Sequence, residues 1–341
     1  MTNTLGRQVG LNRRTVLQIF AVAGAAGALR FWPFNLEDTG LHVVRQSRPM
    51  LGTMLNLTVG GRDRDQAEAA VAATIGRMLA IERRLSRHRE NSEVAELNRT
   101  GTLFAAGDDL LAVLRLAETV SRQTGGAFDI TVLPLLALYR RYKGEALLSQ
   151  PSLLDQARQG VGQAGLRVDG RQVRLARPEM GITLDGIGKG YVVDQGVATL
   201  AEFGCNQVFV EAGGDLLVKG GKPQGQPWRI GVRNPRPAMA GKLVTIEAVD
   251  LAVATSGDYF QAFTPDLRLH HIINPRTGFS APELASCTIT APTAAQADAL
   301  ATGCMVLGVE AAMDLLAGLP DCEGYFITKG LVTYRTPGFA G

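Results

Sequence analysis

The second half of the chain contains a succession of short segments in which apolar and polar residues alternate between glycine- and proline-rich turns. These segments occupy residues 207–220, 228–235, 243–257, 269–275 and 286–292. Two segments of helical periodicity lie apart from them, at residues 191–203 and 293–307. Neighbouring strands with helices set aside are typical of an α+β fold in which the sheets are mostly antiparallel and the helices pack against them.

The first half of the chain adds a pair of strands and two helices. Residues 43–61 predict a strand, a turn and a second strand, and residues 63–85 place their apolar side chains on one helical face. A further helix is predicted over residues 110–124 and a hairpin over residues 168–175. Residues 143–165, between them, have the composition of a linker.

The N-terminus has the pattern of an export signal. Arg13 and Arg14 precede an apolar run rich in alanine and glycine, which resembles a twin-arginine signal and is short for a membrane span. We therefore predict a signal over residues 1–30, one domain over residues 31–341, and a periplasmic location, with membrane association if the signal is uncleaved. The alternative is a chance arginine pair before an amphipathic helix.

The charge distribution bears on the class of partner. The formal net charge is only +3, from 35 basic and 32 acidic residues, and no basic stripe is present. Nucleic acid is therefore not an expected partner.

The segment "APTAAQADALATG" predicts a helix that carries a metal site. Thr293 followed by Gln296 has the pattern of a capping box, so the helix begins near Ala294. Asp298 and Thr302 are four residues apart and share one helical face. A carboxylate and a hydroxyl on an apolar helix suit Mg²⁺, which binds oxygen ligands. The alternative is an exposed Asp-Thr pair facing solvent.

The segment "GITLDGIGKG" predicts a strand that runs into a glycine-rich turn. Gly186, Gly188 and Gly190 would let a ligand approach the backbone, and Lys189 adds a charge suited to phosphate. The segment matches neither a Walker A loop nor a dinucleotide fingerprint. A phosphate-binding loop and an ordinary tight turn remain equally good interpretations.

Weaker signals come from three other short segments. The Gly213-Gly214-Asp215 sequence is either a plain turn or backbone that packs against a flat ligand. Phe128 and Asp129 suit a base and a ribose, although phenylalanine is more often found in a core. Ser256 ends a strand, but the glycines of a nucleophile elbow are missing around it, which argues against a serine hydrolase.

The segment "HHIINPRTG" places two of the four histidines, His270 and His271, at the end of a predicted strand. A turn would begin at Asn274-Pro275, with one imidazole on each face of the strand. The segment is either a polar strand end or a site for acid–base chemistry.

Taken in order, these segments resemble the ApbE family of FAD:protein FMN transferases. The matching motifs span about residues 48–330 and are Met50 with Gly52-Thr53, "NSEVAELN", "GGAFDITVLPL", "LDGIGKGYVVD", "AGGD", "TSGDYF", "HHIINPRTG" and "ADALATGCMVLG". The resemblance implies an ApbE-like, T-fold-like architecture. It also implies that FAD is the substrate, that Mg²⁺ is required, and that FMN is attached to a Ser or Thr of a target flavoprotein.

The resemblance also assigns roles to residues. It implies a metal site formed by Asp298, Thr302 and the backbone carbonyl of Gly186. It implies catalytic roles for His271 and Ser256, with His271 preferred over His270 as the general base. The flavin contacts that it implies are Met50, His88, Ala127, Phe128, Asp129, Thr183, Asp185, Lys189, Gly213, Gly214, Asp215 and Ile272.

Three departures from the family pattern leave roles open. The acidic residue expected at Thr183 appears two positions later, as Asp185. His88 stands where the family often has tyrosine, and Leu51 is inserted between Met50 and Gly52.

The resemblance to exported members implies a target in an electron-transfer or nitrous-oxide-reduction system. A target hydroxyl would attack the FMN phosphorus as AMP leaves, with His271 as the base. The alternatives are an FAD pyrophosphatase, in which water replaces the hydroxyl, and a non-catalytic periplasmic flavin-binding protein. A nucleotide-binding regulator is a third class, but the chain offers no partner domain for it.

Overall fold

A computed structural model describes residues 40–142, 145–223, 225–236 and 244–340. Its largest feature is an eight-stranded antiparallel sheet in the order β1-β2-β6-β7-β10-β11-β12-β13. These strands are β1 (His42–Met50), β2 (Thr53–Gly61), β6 (Gln207–Ala212), β7 (Asp215–Lys219), β10 (Leu251–Gly257), β11 (Leu284–Ala291), β12 (Glu323–Thr328) and β13 (Thr333–Arg335).

Two small antiparallel sheets accompany the large one. The first has the order β3-β5-β4 and the second pairs β8 with β9. Their strands are β3 (Thr102–Leu103), β4 (Leu166–Asp169), β5 (Gln172–Leu175), β8 (Trp228–Gly231) and β9 (Thr245–Ala248). The α+β class and the mostly antiparallel sheets predicted from the sequence are thereby confirmed.

The helices pack against the large sheet and against one another. They are α1 (Arg64–Leu85), α2 (Glu93–Thr100), α3 (Asp108–Gln123), α4 (Leu133–Tyr142), α5 (Glu145–Leu148), α6 (Pro151–Gln159), α7 (Gly188–Glu202), α8 (Ala294–Leu307) and α9 (Val309–Ala317). α7 lies between α1 and α8, and α8 packs on β10 and β11. α7 and α8 both pack on the large sheet, and ten of the fourteen residues of α8 are buried.

Side-chain caps determine where the site-bearing helix α8 begins. Thr293 accepts a hydrogen bond from the Gln296 amide at 3.2 Å, as the capping pattern predicted. Asp194 of α7 accepts from the amides of Ala294 and Ala295 at 2.7 and 2.9 Å. α8 is therefore anchored to α7 at its first turn.

Three predictions about local structure are wrong. Residues 143–165 are not a linker, because they contain α5 and α6; Pro151 stands at the start of α6, where its missing N–H costs nothing. Residues 269–275 form only isolated bridges, because their amide groups bond to a neighbouring loop and to side chains. Residues 181–184 form no strand; the predicted turn is present at residues 185–187, whereas Gly188 and Gly190 already belong to the first turn of α7.

The predicted export signal lies outside the described residues, and so do the first nine residues of the predicted domain. Within the described ranges, no helix combines the length and the apolar character needed to cross a membrane.

Candidate active site

Thr302 of α8, one of the residues predicted to bind a metal ion, meets the end of β10 and the segment before α7. Asp298 is 3% exposed, so the exposed Asp-Thr alternative is wrong for this carboxylate. The Ser256 hydroxyl lies 3.2 Å from Thr302 Oγ1. Gly186 packs directly on Thr302, since a Cβ atom at this glycine would stand 2.8 Å from the same hydroxyl.

The charges around Asp298 favour binding of a further cation. The Lys189 ammonium is ion-paired with Asp215 and lies 3.7 Å from Asp298. Burial raises the pKa of Asp298 to about 7, and the charge of Asp215 acts in the same direction. Two buried carboxylates share one ammonium, so a divalent cation would relieve their repulsion. The donor set of carboxylate, hydroxyl and backbone carbonyl fits Mg²⁺.

The glycine-rich turn is less open to phosphate than its sequence indicates. The amide of Gly188 donates to Leu184 O at 2.7 Å, and the amide of Tyr191 donates to Ile187 O at 3.1 Å. The Gly190 amide donates to Asp298 Oδ2 at 3.2 Å. These three amides are used within the protein and are not available to a phosphate, whereas the Lys189 side chain stays a candidate for a phosphate contact.

The structure separates the two neighbouring histidines by their hydrogen bonds. His270 is fully buried; its Nε2 lies 2.9 Å from Ala281 O, and its Nδ1 accepts from the Ile272 amide at 3.3 Å. Nδ1 of His271 is buried, and no hydrogen-bond partner for it occurs in the described part of the chain. Both ring nitrogens of His270 are therefore used in hydrogen bonds that support the fold, whereas Nδ1 of His271 is unpaired within the described residues.

Burial lowers the pKa of His271 to about 4, and His270 acts in the same direction. The nearby charges of Asp185 and Lys189 have opposite effects on this ring. The imidazole is consequently neutral at physiological pH, which is the form that a general base requires.

The other carboxylates near His271 are held by arginines. Asp258 is fully buried, and both of its oxygens accept from Arg236, at 2.8 and 2.7 Å. Burial opposes ionisation of Asp185, but hydrogen bonds from Arg87 outweigh it and lower the pKa of Asp185. Neither carboxylate is as well placed as His271 to take a proton.

The turn after the histidines forms as predicted, at Asn274. The Asn274 side chain accepts from the amides of Arg276 and Thr277 at 2.9 and 3.3 Å, and its carbonyl accepts from Gly278 at 2.8 Å. Arg276 donates to the Gly125 carbonyl. The histidine loop is thus tied to the "GGAF" segment that carries predicted flavin contacts.

Several predicted flavin contacts are core positions in this structure. Met50, Ala127, Phe128, Thr183 and Ile272 are all buried. Their roles stay predictions, because a buried side chain can line a ligand site only where the ligand reaches it.

The remaining predicted flavin contacts take part in local structure. Both oxygens of Asp129 accept hydrogen bonds, from Thr131 at 2.8 and 2.6 Å and from the Gln163 amide at 3.0 Å. Gly213 and Gly214 have φ of +64° and +99° and form the turn between β6 and β7. The plain-turn interpretation accounts for both glycines, and a flavin contact there stays a prediction.

No local sequence pattern indicates a charged cluster at Asp185. Arg87 donates three hydrogen bonds to this carboxylate, at 2.8 to 3.2 Å, and Arg140 lies 3.7 Å from it. Burial lowers the pKa of His88, and the charges of both arginines act in the same direction. Arg87 and Asp185 are 98 residues apart, so no local spacing could have predicted their pairing.

Comparison with known proteins identifies relatives of this chain. The ApbE family model matches residues 51–326. The FAD:protein FMN transferase of Vibrio cholerae is 32% identical over 278 residues, which cover 79% of this chain and 83% of that protein. The Treponema pallidum protein of the same name is 31% identical over 298 residues, 82% of each chain.

A solved structure agrees with the sequence relatives. The ApbE protein from Thermotoga maritima superposes with a TM-score of 0.78 at 28% identity, covering 87% of this chain and 98% of that one. Because the family model spans most of the sequence and a relative above 30% identity is covered over most of its length, the chain belongs to the ApbE family.

Proposed function

We propose that this protein is a FAD:protein FMN transferase that cleaves FAD and attaches FMN, through a phosphoester bond, to a Ser or Thr of a target flavoprotein. The observation that supports the proposal most directly is His271, whose buried Nδ1 has no hydrogen-bond partner among the described residues. The charges of Asp185 and Lys189 act on this ring, and Lys189 lies 3.7 Å from Asp298. The substrate, FAD, is inferred from membership of the ApbE family.

The residues that would hold Mg²⁺ are Asp298, Thr302 and the backbone carbonyl of Gly186. When bound there, the ion would supply positive charge against the pyrophosphate of FAD and the departing AMP. The Ser256 hydroxyl, 3.2 Å from Thr302 Oγ1, would orient the threonine.

His271 would remove the proton from the acceptor hydroxyl. Its neutral imidazole would accept that proton, while the backbone N–H of the same residue donates to Gln261 O at 3.0 Å and helps to position the ring. The hydroxyl oxygen then attacks the FMN phosphorus as the bond to AMP breaks. Lys189 would offset negative charge on the phosphates.

The proposal is tested with a synthetic peptide of the acceptor pattern D-[ST]-x-T-G-[AS]-[ST]. The peptide is incubated with FAD and MgCl₂ and analysed by mass spectrometry, with and without EDTA. We expect FMN on the peptide only when Mg²⁺ is present. Release of free FMN with unmodified peptide would instead identify an FAD pyrophosphatase, and unchanged FAD would identify a flavin-binding protein.

We further propose that the enzyme acts in the periplasm on a flavoprotein of an electron-transfer or nitrous-oxide-reduction system. The support is the twin arginine at Arg13 and Arg14 and the apolar run after it. Changing both arginines to lysine should retain the protein in the cytoplasm in cell fractionation. Normal periplasmic yield of that variant would contradict the proposed export route.

A further inference from the structure

A cluster of charged side chains beside the site has two cations for one anion. Arg87 donates to both oxygens of Asp185, at 2.8 to 3.2 Å. The Arg140 guanidinium lies 3.7 Å from the same carboxylate, beyond hydrogen-bond distance. Because Arg87 already satisfies Asp185, the positive charge of Arg140 is poorly compensated.

The hydrogen bonds of Arg140 are incomplete. Its Nη2 donates to Gln261 Oε1 at 3.3 Å, and no other hydrogen bond of this guanidinium is found within the described residues. Burial lowers the pKa of Arg140, and the charge of Arg87 adds to that effect. By contrast, hydrogen bonds to a carboxylate raise the pKa values of Arg77 and Arg236. Arg140 therefore lacks the close anionic partner that those two arginines have.

The backbone around Arg140 is well supported. Its neighbour Tyr139 is fully buried and donates from its hydroxyl to Gly278 O at 3.0 Å, which ties the last turn of α4 to the histidine loop. Gln261 links the two parts again, since its side chain accepts from Arg140 and its carbonyl accepts from the His271 amide at 3.0 Å. Arg140 is thus held in a defined position relative to His271.

The position of Arg140 favours one kind of anion. Lys189, 3.7 Å from Asp298, supplies positive charge where the pyrophosphate is expected. The Arg140 side chain is 34% exposed and shares Gln261 with His271, the residue that the acceptor hydroxyl must reach. We infer that Arg140 binds a carboxylate side chain of the acceptor protein near its acceptor hydroxyl, an inference that rests on the proposed function.

In this arrangement Arg87 and Asp185 are positioning residues. Asp185 keeps Arg87 in place, and its remaining negative charge limits the repulsion between the two guanidinium groups. An incoming carboxylate would form charge-assisted hydrogen bonds with the unused N–H donors of Arg140.

The test is a double-mutant cycle between Arg140→Gln and the acidic residue of the acceptor peptide. The peptide used above is compared with the same peptide carrying Asn in place of its Asp. With the unmodified enzyme, we expect kcat/KM for FMN transfer to be about tenfold higher for the Asp peptide, the usual size of a charged hydrogen bond at a partly exposed site. With Arg140→Gln, both peptides should react at the lower rate.

Arg141→Gln is the matched control, because its guanidinium lies over the Tyr142 ring at 5.6 Å and, among the described residues, no hydrogen bond or ion pair joins it to the cluster. This variant should keep the tenfold preference. FAD affinity, measured by calorimetry, should be the same for all three enzymes. An unchanged preference in Arg140→Gln would overturn the inference, as would weakened FAD binding with the acceptor KM unaltered. Absence of transfer by the unmodified enzyme would contradict the proposed function, and this inference with it.

Discussion

The two adjacent histidines should respond to substitution in opposite ways. His270→Ala should lower the stability of the protein and leave the rate of FMN transfer per folded molecule nearly unchanged. His271→Ala should leave stability nearly unchanged and lower the transfer rate by about 10²–10⁴-fold, the usual contribution of a general base. The difference follows from the hydrogen bonds of the two rings. Both ring nitrogens of His270 have partners, whereas Nδ1 of His271 has none among the described residues.

The cost of His270→Ala can be worked out from its contacts. The ring is fully buried, and its removal leaves the carbonyl of Ala281 and the amide of Ile272 without a partner. Each unpaired group costs about 1–3 kcal/mol, and a cavity adds to the loss, so we expect about 4 kcal/mol in total. For a domain of this size that corresponds to a Tm about 8 °C lower.

Two assays separate the effects. Thermal unfolding followed by circular dichroism gives the stability of each variant, and single-turnover FMN transfer at saturating FAD gives the chemical step. Residual transfer by His271→Ala should increase with pH, because hydroxide replaces the missing base. If His270→Ala lost transfer at full stability while His271→Ala remained active, the assignment of the base would be wrong.

Three further predictions concern protons, metal and close packing. Burial lowers the pKa values of His270 and His271 to about 4, so between pH 6.5 and pH 4 each ring binds a proton only in the unfolded chain. The free energy of unfolding should therefore be highest above pH 6.5 and fall below it, by up to about 3 kcal/mol per ring. Urea midpoints that do not change with pH would contradict this. Burial raises the pKa of Asp298 to about 7, so Mg²⁺ affinity measured by calorimetry should strengthen from pH 6 to pH 8; constant affinity would argue against this ligand. Gly190→Ala should lower the free energy of unfolding by about 3 kcal/mol, because the new Cβ would stand 2.6 Å from Ala295 Cα and closer still to the carbonyl of Ala294. The control Gly76→Ala meets no atom within 4 Å and should stabilise α1 by about 0.5–1 kcal/mol. Equal melting temperatures of the two variants would refute the packing argument.

Local patterns predicted those parts of the fold that depend on local interactions. The cap at Thr293 and the shared face of Asp298 and Thr302 depend on residues within one or two turns of each other. The helix around Pro151 was also within reach, since proline at the first helical position is a helix signal. The linker-like composition of residues 143–165 does not outweigh the helix signal of Pro151.

Other features depend on residues that are distant in sequence. The two histidines lie in an irregular loop because the His270 amide donates to Ser280 Oγ at 2.9 Å, a contact that alternation cannot anticipate. The amide of Gly190 meets Asp298 across 108 residues of chain. The motifs identify these residues as candidates, but only the fold shows which of their polar atoms are already hydrogen-bonded.

Two of the three departures from the family pattern, His88 and Asp185, are neighbours in the structure. Arg87, directly before His88, forms the ion pair with Asp185. The acidic residue at Asp185, two positions after the place where the family pattern has it, is therefore paired with Arg87. Arg87 is directly followed by His88, which stands where the family often has tyrosine. Asp185 therefore pairs with Arg87 in this structure, and its contact with the flavin stays a prediction.

A double-mutant cycle on Arg87→Gln and Asp185→Asn measures this pairing. The Arg87 side chain is 11% exposed but Asp185 is 40% exposed, so solvent screening should keep the coupling to about 1–2 kcal/mol, below that of a buried pair. The control is Arg158 with Asp155, an ion pair with side chains 44% and 70% exposed, which should couple by less than about 0.5 kcal/mol. Unfolding free energies from urea titration give both values. If the two pairs coupled equally weakly, Asp185 would not be fixed by Arg87, and direct contact with the substrate would become the better account of its position.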